Sequence, residues 1–123
     1  MIWGWNGRFD IVKKDGAQVA YTYNQALLDY DCLAIAKGAP HKELAMKFLN
    51  EISKPQYQAD LTKYITYGPA NKKAYDLPVL TPEYAKTLPS YAANAAMQLP
   101  INLDWYIKNE ARANDLYQNM LTE

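Results

Sequence analysis

The sequence predicts an α/β protein in which strands lie near the front of the chain and helices follow. Apolar runs at 19–23 and 30–36 indicate two strands. From residue 42 onward, apolar residues recur at helical spacing and predict four or five helices. Two strands cannot form an independent sheet of ordinary size. This order therefore indicates the back half of an α/β protein whose other strands belong to a longer chain.

The front of the chain predicts one helix and the two strands. Asn6 suits the N-cap of a helix over Gly7–Lys14, and Gly16 suits the position just past its end. Residues 19–23 alternate and are β-branched or aromatic, as in a half-buried strand. Residues 30–36 are more continuously apolar, so this strand is expected to be central, and a connection joins the two.

Two helices are predicted next. Residues 42–52 place apolar side chains on one helical face. Pro55 is favoured at the first position of a following helix, with Ser53 as its cap. The apolar stripe of this helix is expected at Tyr57, Leu61, Tyr64 and Ile65.

Short helices and one long helix complete the prediction. Asn71 caps a short helix that ends before Pro78, and Thr81 followed by a proline opens another. Asn102 caps the last and longest helix, over Leu103–Leu121. Its buried stripe is expected at Ala113, Leu116, Tyr117 and Met120.

Composition excludes several classes of function. The 123 residues carry 13 Lys+Arg and 13 Asp+Glu, and this balance argues against a nucleic-acid partner, which a basic face usually binds. A hydrophobic content of 50% is too high for disorder. A single cysteine, Cys32, excludes an internal disulfide and a thiolate zinc cluster. A single histidine, His41, argues against a histidine-rich metal site, so no metal or cofactor is predicted.

The start of the chain supports two interpretations. No apolar run approaches the roughly 20 residues that span a bilayer, and Met1–Arg8 lacks the basic leader and apolar region of a signal peptide. Taken alone, these features predict a cytoplasmic protein. A chain that begins inside a Trp-rich apolar segment also resembles a piece of a longer protein, and both interpretations stay open at this point.

Asp29 and Asp31 form the first candidate site. They flank Tyr30 at the entrance of the second predicted strand, where alternate side chains point to one face. They could act as an acid–base pair, hold a divalent metal or neutralise a cationic ligand, or simply be a solvated strand entrance. A metal site requires more oxygen ligands than this segment offers, and no nucleophile accompanies the pair.

Cys32 and His41 are considered together as a thiol–imidazole pair. Cys32 lies in an apolar run and is expected to be a small buried core residue. His41 follows Pro40 before a helix and is expected to have a capping or surface role. The sequence contains no phosphate-binding glycine loop, nucleophile elbow or zinc-protease motif.

Aromatic residues near loops and helix starts form the second candidate site. With Asp31 they have what an organic ammonium requires, namely π-faces for the cation and a carboxylate to neutralise it. The same surfaces could stack a sugar, with Asn6, Arg8 and Asn71 as hydrogen-bonding partners, or could simply be packing. The aromatic residues of this group are Trp3, Trp5, Tyr67, Trp105 and Tyr106.

Four motifs in order resemble one protein family. Trp5–Arg8 followed by Lys14–Ala17 resembles the W-N-G…k-x-G-a segment of bacterial ABC-transporter solute-binding proteins of the spermidine/putrescine type. Asp31–Glu43 resembles that family's acidic residue, strand and K-G-A-x-N-K-E turn, and Ala45–Leu49 its A-x-x-F-[IL] helix. Tyr67–Ala74 is close to its Y-G-P-x-N-x-x-A.

The resemblance implies the C-terminal portion of a two-lobed periplasmic-binding-protein fold of type II. Such proteins trap a ligand between two α/β lobes joined by crossing strands. Residues 1–36 are then expected to supply lobe strands and a crossing strand, and 37–123 the helical part. The parent protein would be exported to the periplasm and would deliver its ligand to an ABC permease. The implied function is binding without catalysis.

The resemblance also carries over three ligand-binding residues. Trp5 matches an aromatic that packs on the ligand's methylene chain, Asp31 a carboxylate that pairs with an ammonium, and Tyr67 a ligand-contacting tyrosine. Two positions depart from polyamine binders. Asp29 stands where they carry a tryptophan, and Tyr106 stands where they carry a glutamine after the residue matched by Trp105.

These departures leave two ligand classes open. The implied ligand is a polyamine such as putrescine or spermidine. The alternative is a γ-amino-acid-like or other small zwitterionic solute, for which Arg8 could bind the carboxylate or else remain in solvent. A competing interpretation is a non-binding fragment that self-associates as a homodimer through exposed strand edges. An enzyme that acts on a sugar through Asp29 and Asp31 is the least favoured class.

Overall fold

Helices dominate the structure, a computed structural model that describes residues 4–122. The predictions for Met1 and Trp3 lie outside these residues. Within them, no helix combines the length and apolarity that crossing a bilayer requires. The elements are α1 (Asn6–Lys14), β1 (Leu27–Leu28), α2 (Lys42–Ile52), α3 (Pro55–Leu61), a 3-10 helix (Lys72–Asp76), α4 (Pro82–Ala85), α5 (Ala92–Ala96), β2 (Leu99–Pro100) and α6 (Leu103–Thr122).

Three of the predicted helix caps are confirmed. The Asn71 side chain accepts the backbone N–H of Lys73 at 3.1 Å and starts the 3-10 helix. Thr81 Oγ1 accepts a backbone N–H at the start of α4 at 3.3 Å. Asn102 Oδ1 accepts the Trp105 N–H at 2.9 Å and starts α6. Each side chain satisfies a backbone donor that has no partner within its own helix.

The predicted caps Asn6 and Ser53 are wrong. Trp5 occupies the N-cap of α1, and Asn6 is the first helical residue, with its side chain directed away from the helix. Ser53 follows α2, and its hydroxyl donates to the Leu49 carbonyl at 2.7 Å. A serine hydroxyl can reach a carbonyl four residues back as readily as a donor ahead of it. Lys54 therefore takes the N-cap of α3.

Neither predicted strand forms a ladder. Residues 19–23 and 30–36 are irregular, because no described segment pairs with them and a strand requires a hydrogen-bonded neighbour. Residues 19–23 nevertheless keep the predicted period of two: residues 19, 21 and 23 are partly buried, whereas 20 and 22 are exposed. Cys32 is exposed, so its predicted place in the core is wrong for the same reason.

The two strands that do form were predicted as connection or not at all. β1 and β2 are parallel, with Leu27 opposite Leu99 and Leu28 opposite Pro100. The Leu99 N–H donates to the Ala26 carbonyl at 2.8 Å, and the Ile101 N–H donates to the Leu28 carbonyl at 3.0 Å. The pairing brings the residues that follow each strand to the same edge.

A small core joins α3, the 3-10 helix and α4. Ala59 from α3 and Ala74 from the 3-10 helix are fully buried against each other's elements, together with Leu88. Tyr84 connects α4 to the end of α3, because its hydroxyl donates to the Thr62 carbonyl. The buried cluster is Ala59, Ala74, Leu80 and Leu88, against which Tyr75, Leu77, Val79 and Tyr84 pack.

Most of the predicted apolar stripe of α6 is exposed instead of buried, and Ala113 is partly buried. Leu116, Tyr117 and Met120 are 60%, 54% and 61% exposed, and no described residue of α6 is buried. Leu44 and Phe48 on the predicted face of α2 are also more than half exposed. Helical spacing identified these faces correctly as apolar, but no described element packs extensively against α6.

Candidate functional site

The first turn of α1 brings three of the predicted site residues together. Trp5 is the N-cap, and its carbonyl accepts the Arg8 N–H at 3.0 Å. The Tyr67 ring lies on Gly7, where an added Cβ would be 3.0 Å from Tyr67 Cε1. Gly7 is buried, while Trp5 is 52% exposed and Arg8 is exposed. The first turn of α1 thus carries Trp5 and Arg8 and contacts the Tyr67 ring.

Hydrogen bonds from α1 hold the residue that precedes Tyr67. Asn6 Nδ2 donates to the Thr66 carbonyl at 2.6 Å, and the Thr66 hydroxyl donates to the Asp10 carboxylate. Asn6 and Asp10 are four residues apart and therefore share one face of α1. Tyr21 also donates its hydroxyl to Asp10, at 3.0 Å from each carboxylate oxygen.

The loop at residues 66–69 is also held at its far end by Ser90. Its hydroxyl donates to the Pro69 carbonyl at 2.8 Å and lies 2.8 Å from the Tyr75 hydroxyl. Gly68 approaches Ser90 so closely that an added Cβ would lie 2.7 Å from the Ser90 backbone nitrogen. Burial raises the pKa of the Tyr75 phenol, and its hydrogen bond with Ser90 opposes that shift.

Two tyrosines connect α1 to the segment before β1. The rings of Phe9 and Tyr21 stack with centroids 6.0 Å apart, and Tyr21 meets Tyr23 edge to face at 5.6 Å. Burial raises the pKa of Tyr21, and the neighbouring Tyr23 and Asp10 raise it further. Burial also raises the pKa of Tyr23, whose hydroxyl donates to the Thr87 carbonyl at 2.8 Å. Both phenols therefore remain neutral donors near pH 7.

The other predicted site residues lie at the edge where β1 and β2 end. Asp29 and Asp31 follow β1, and both are exposed. Asp29 Oδ1 accepts the Tyr30 N–H at 2.8 Å. Tyr106 lies in the first turn of α6, shortly after β2, with its ring 5.1 Å from that of Trp105. The predicted residues therefore divide into an α1 group (Trp5, Arg8 and Tyr67) and a strand-end group (Asp29, Asp31 and Tyr106).

No hydrogen bond or ion pair among residues 4–122 joins the two groups directly. Asn71, considered above as a sugar ligand, caps the 3-10 helix and donates to the Ser53 carbonyl at 3.0 Å. His41 occupies the N-cap of α2 without a side-chain capping bond. Sequence patterns missed Asp10, Tyr21 and Thr66, although the spacing of Asn6 and Asp10 on one helix face was visible.

Comparison with known proteins identifies the family. The model of the bacterial extracellular solute-binding protein family matches residues 1–98. The chain belongs to this family. Members of this family are solute-binding proteins and not enzymes, and this confirms the prediction of a non-enzymatic family.

The chain also resembles solved structures. It is 44% identical to an ABC transporter substrate-binding protein from Bradyrhizobium japonicum USDA 110, with a TM-score of 0.83 over 97% of this chain and 37% of that one. It is 44% identical to the PBP MotA from A. tumefaciens B6, solved with glucopine, with a TM-score of 0.81 over 94% of this chain and 36% of that one. The predicted periplasmic-binding-protein fold is therefore confirmed.

A curated relative gives a further ligand name. The chain is 31% identical over 103 residues to the gamma-aminobutyric acid-binding protein of Pseudomonas aeruginosa strain PAO1. That match covers 84% of this chain and 29% of the relative. The chain thus spans about a third of the length of these relatives, and none of the three is named for a polyamine.

Proposed function

We propose that this chain is the C-terminal part of the substrate-binding component of an ABC importer for a small zwitterionic amine of the γ-amino-acid type. The observation that carries the proposal is the separation of charge between the two groups. The α1 group holds the cation Arg8, and the strand-end group holds the anions Asp29 and Asp31. A ligand with a carboxylate at one end and an ammonium at the other complements both groups.

Each side chain has a distinct role in this proposal. Arg8 binds the ligand carboxylate at the N-terminus of α1, where the helix dipole also favours an anion. Trp5 and Tyr67 cover the methylene chain with their rings. Asp31 binds the ammonium through a charge-assisted hydrogen bond, and Asp29 and Tyr106 border it.

A polyamine is the second candidate ligand. Asp29 and Asp31 are two residues apart and exposed, and the ion pairs found within residues 4–122 involve other carboxylates. Two such carboxylates complement a ligand with more than one ammonium. The gamma-aminobutyric acid-binding relative favours the amino acid over the polyamine, since the name of its ligand specifies both an amine and an acid.

A titration with both ligand classes tests the proposal. Gamma-aminobutyric acid and putrescine are added separately to the isotopically labelled chain, and backbone resonances near Trp5 and Asp31 are followed by NMR. Arg8→Gln is expected to weaken gamma-aminobutyric acid binding roughly tenfold and to leave putrescine unaffected, because a charged hydrogen bond contributes about 1.5–3 kcal/mol. Asp31→Asn is expected to weaken both.

Matched controls separate local contacts from net charge. Arg112→Gln in α6 and Asp15→Asn after α1 remove the same charges from other exposed positions and are expected to change neither affinity by more than about twofold. The whole chain is expected to bind far more weakly than nanomolar, because the opposing lobe is absent. Nanomolar binding would contradict the expected weakness of binding, whereas an Arg8→Gln effect equal for both ligands would contradict the proposed role of Arg8.

The parent protein is proposed to act in the periplasm with an ABC permease as its partner. In this arrangement residues 1–36 supply lobe strands and a crossing strand, and residues 37–123 supply the helical part.

The competing fragment hypothesis predicts a homodimer, and the exposed apolar faces of α2 and α6 favour it. Sedimentation velocity tests this hypothesis, because a strictly monomeric and well-folded chain would contradict self-association.

A further inference from the structure

Thr66 is held by α1 through both of its polar groups. Its carbonyl accepts from Asn6 at 2.6 Å, and its hydroxyl donates to Asp10. All three side chains are partly buried, so solvent competes only weakly for these bonds. The carboxylate of Asp10 is also fixed from its other side by the Tyr21 hydroxyl at 3.0 Å. We call Asn6, Asp10 and Thr66 the α1 clamp.

The clamp determines where the next residue lies. Tyr67 directly follows Thr66, and its ring rests on Gly7, one position past Asn6. Trp5 and Arg8 flank the same turn of α1. A shift of Thr66 along α1 would therefore move the Tyr67 ring relative to both other members of the α1 group.

We infer that Asp10 and Thr66 are positioning residues, which hold the Tyr67 ring at the spacing from Trp5 that ligand binding requires. This inference rests on the proposed function for its ligand and on the hydrogen bonds for its geometry. The two residues touch no ligand in this scheme. Ser90 holds Pro69 independently of the α1 clamp. Loss of the clamp is therefore expected to release Tyr67 without unfolding the residues that follow it.

The Gly7 Hα resonance provides a readout that needs no ligand. One Gly7 Hα points along the direction of the missing Cβ, whose ideal position is 3.0 Å from the Tyr67 ring, so its chemical shift is displaced by the ring current. Thr66→Val keeps the shape of the side chain and removes the hydroxyl. We expect it to return the Gly7 Hα resonance toward the value of an unstructured glycine. Thr66→Ser keeps the hydroxyl and is expected to preserve the displaced resonance.

Binding of gamma-aminobutyric acid provides the second readout. Thr66→Val is expected to weaken it by up to about tenfold, because loss of one hydrogen bond to a charged group lowers the fraction of the protein in which the Tyr67 ring is correctly placed. Thr66→Ser is expected to change it by less than about twofold. Leu88→Val is the control, because Leu88 belongs to the buried core cluster, whose described members include neither Thr66 nor a residue of α1. It is expected to leave both readouts unchanged.

The outcomes separate this inference from the proposed function. If the unsubstituted chain binds no gamma-aminobutyric acid, the proposed ligand is wrong, and the Gly7 resonance alone decides the geometry of the clamp. An unchanged Gly7 resonance in Thr66→Val, or an equal change in Leu88→Val, overturns the positioning role. If Thr66→Val does not fold, Asp10→Asn is measured in its place, because the amide keeps the shape and loses one acceptor oxygen.

Discussion

Gly68 is the position where a single added methyl group has the most clearly defined consequence. A Cβ there would clash with Ser90 Oγ and would lie 2.7 Å from the Ser90 backbone nitrogen and 2.8 Å from Ser90 Cβ. Rotation of the serine side chain relieves only the first contact, so the two backbones must separate. The requirement for glycine here is steric, because this position lacks the positive φ that Gly16 and Gly38 adopt.

The predicted cost of Gly68→Ala has two parts. Overpacking at a tight contact costs about 1–3 kcal/mol. Separation of the loop from Ser90 also lengthens the bonds to the Pro69 carbonyl and the Tyr75 hydroxyl, at a net cost of about 1 kcal/mol each. We therefore expect the free energy of unfolding to fall by about 3 kcal/mol. Urea denaturation followed by circular dichroism measures this change.

A graded series and a double variant test the reasoning. Gly7→Ala meets a side-chain carbon of Tyr67 at 3.0 Å and is expected to cost less than Gly68→Ala, because a ring can shift more easily than a backbone. Combining Gly68→Ala with Ser90→Gly removes two of the three close atoms and is expected to cost less than the sum of the single changes. A loss below about 0.5 kcal/mol for Gly68→Ala, or strict additivity of the pair, would refute the steric argument.

Three further changes test the core, the tyrosine network and the cap of α6. Leu88→Ala empties a fully buried site and is expected to lower the unfolding free energy by about 2–5 kcal/mol in urea denaturation. Tyr21 has a raised pKa in the fold, so its stabilising contribution is complete below pH 10 and declines as pH rises above 10. Tyr21→Phe should therefore make alkaline destabilisation less steep, by at most about 1.4 kcal/mol per pH unit, and an unchanged slope would contradict the pKa direction. Asn102→Ala removes the Trp105 N–H acceptor and is expected to cost about 1 kcal/mol and some helical circular dichroism, whereas unchanged helicity would argue against the cap.

The sequence predicted the helices well, because a helix start is determined by capping residues and prolines within a few positions of it. Asn71, Thr81 and Asn102 cap the helices that follow them, and Pro55 begins α3. Asn6 failed as a cap because its partner, the carbonyl of Thr66, is 60 residues away in the sequence. A cap preference near the start of a helix cannot reveal a competing acceptor supplied by a distant loop.

Strand positions were predicted poorly for the opposite reason. A ladder depends on a partner, and residues 30–36 have apolar character without a partner among the described residues. β1 and β2 have two residues each, too few for a periodic signal, and β2 ends at a proline. Their pairing is nevertheless what brings Tyr106 to the same edge as Asp29 and Asp31, so this half of the candidate site could not be assembled from the sequence pattern.

Apolar periodicity predicted the helices correctly but predicted wrongly that the apolar faces of α2 and α6 are buried. Leu116, Tyr117 and Met120 recur at helical spacing, yet each is more than half exposed. The related structures are about 2.6 times as long as this chain, which covers 36–37% of them at TM-scores above 0.8. An apolar stripe of this kind is expected to pack against another surface. In a longer fold, that surface can be formed by residues outside the third that this chain matches. Apolar spacing therefore predicts that a face packs, whereas the length of the relatives indicates that the packing surface lies in the remainder of such a fold. The same reasoning applies to the proposed ligand site: the α1 and strand-end groups carry opposite charges, and we expect a second lobe to be required to enclose a ligand between them.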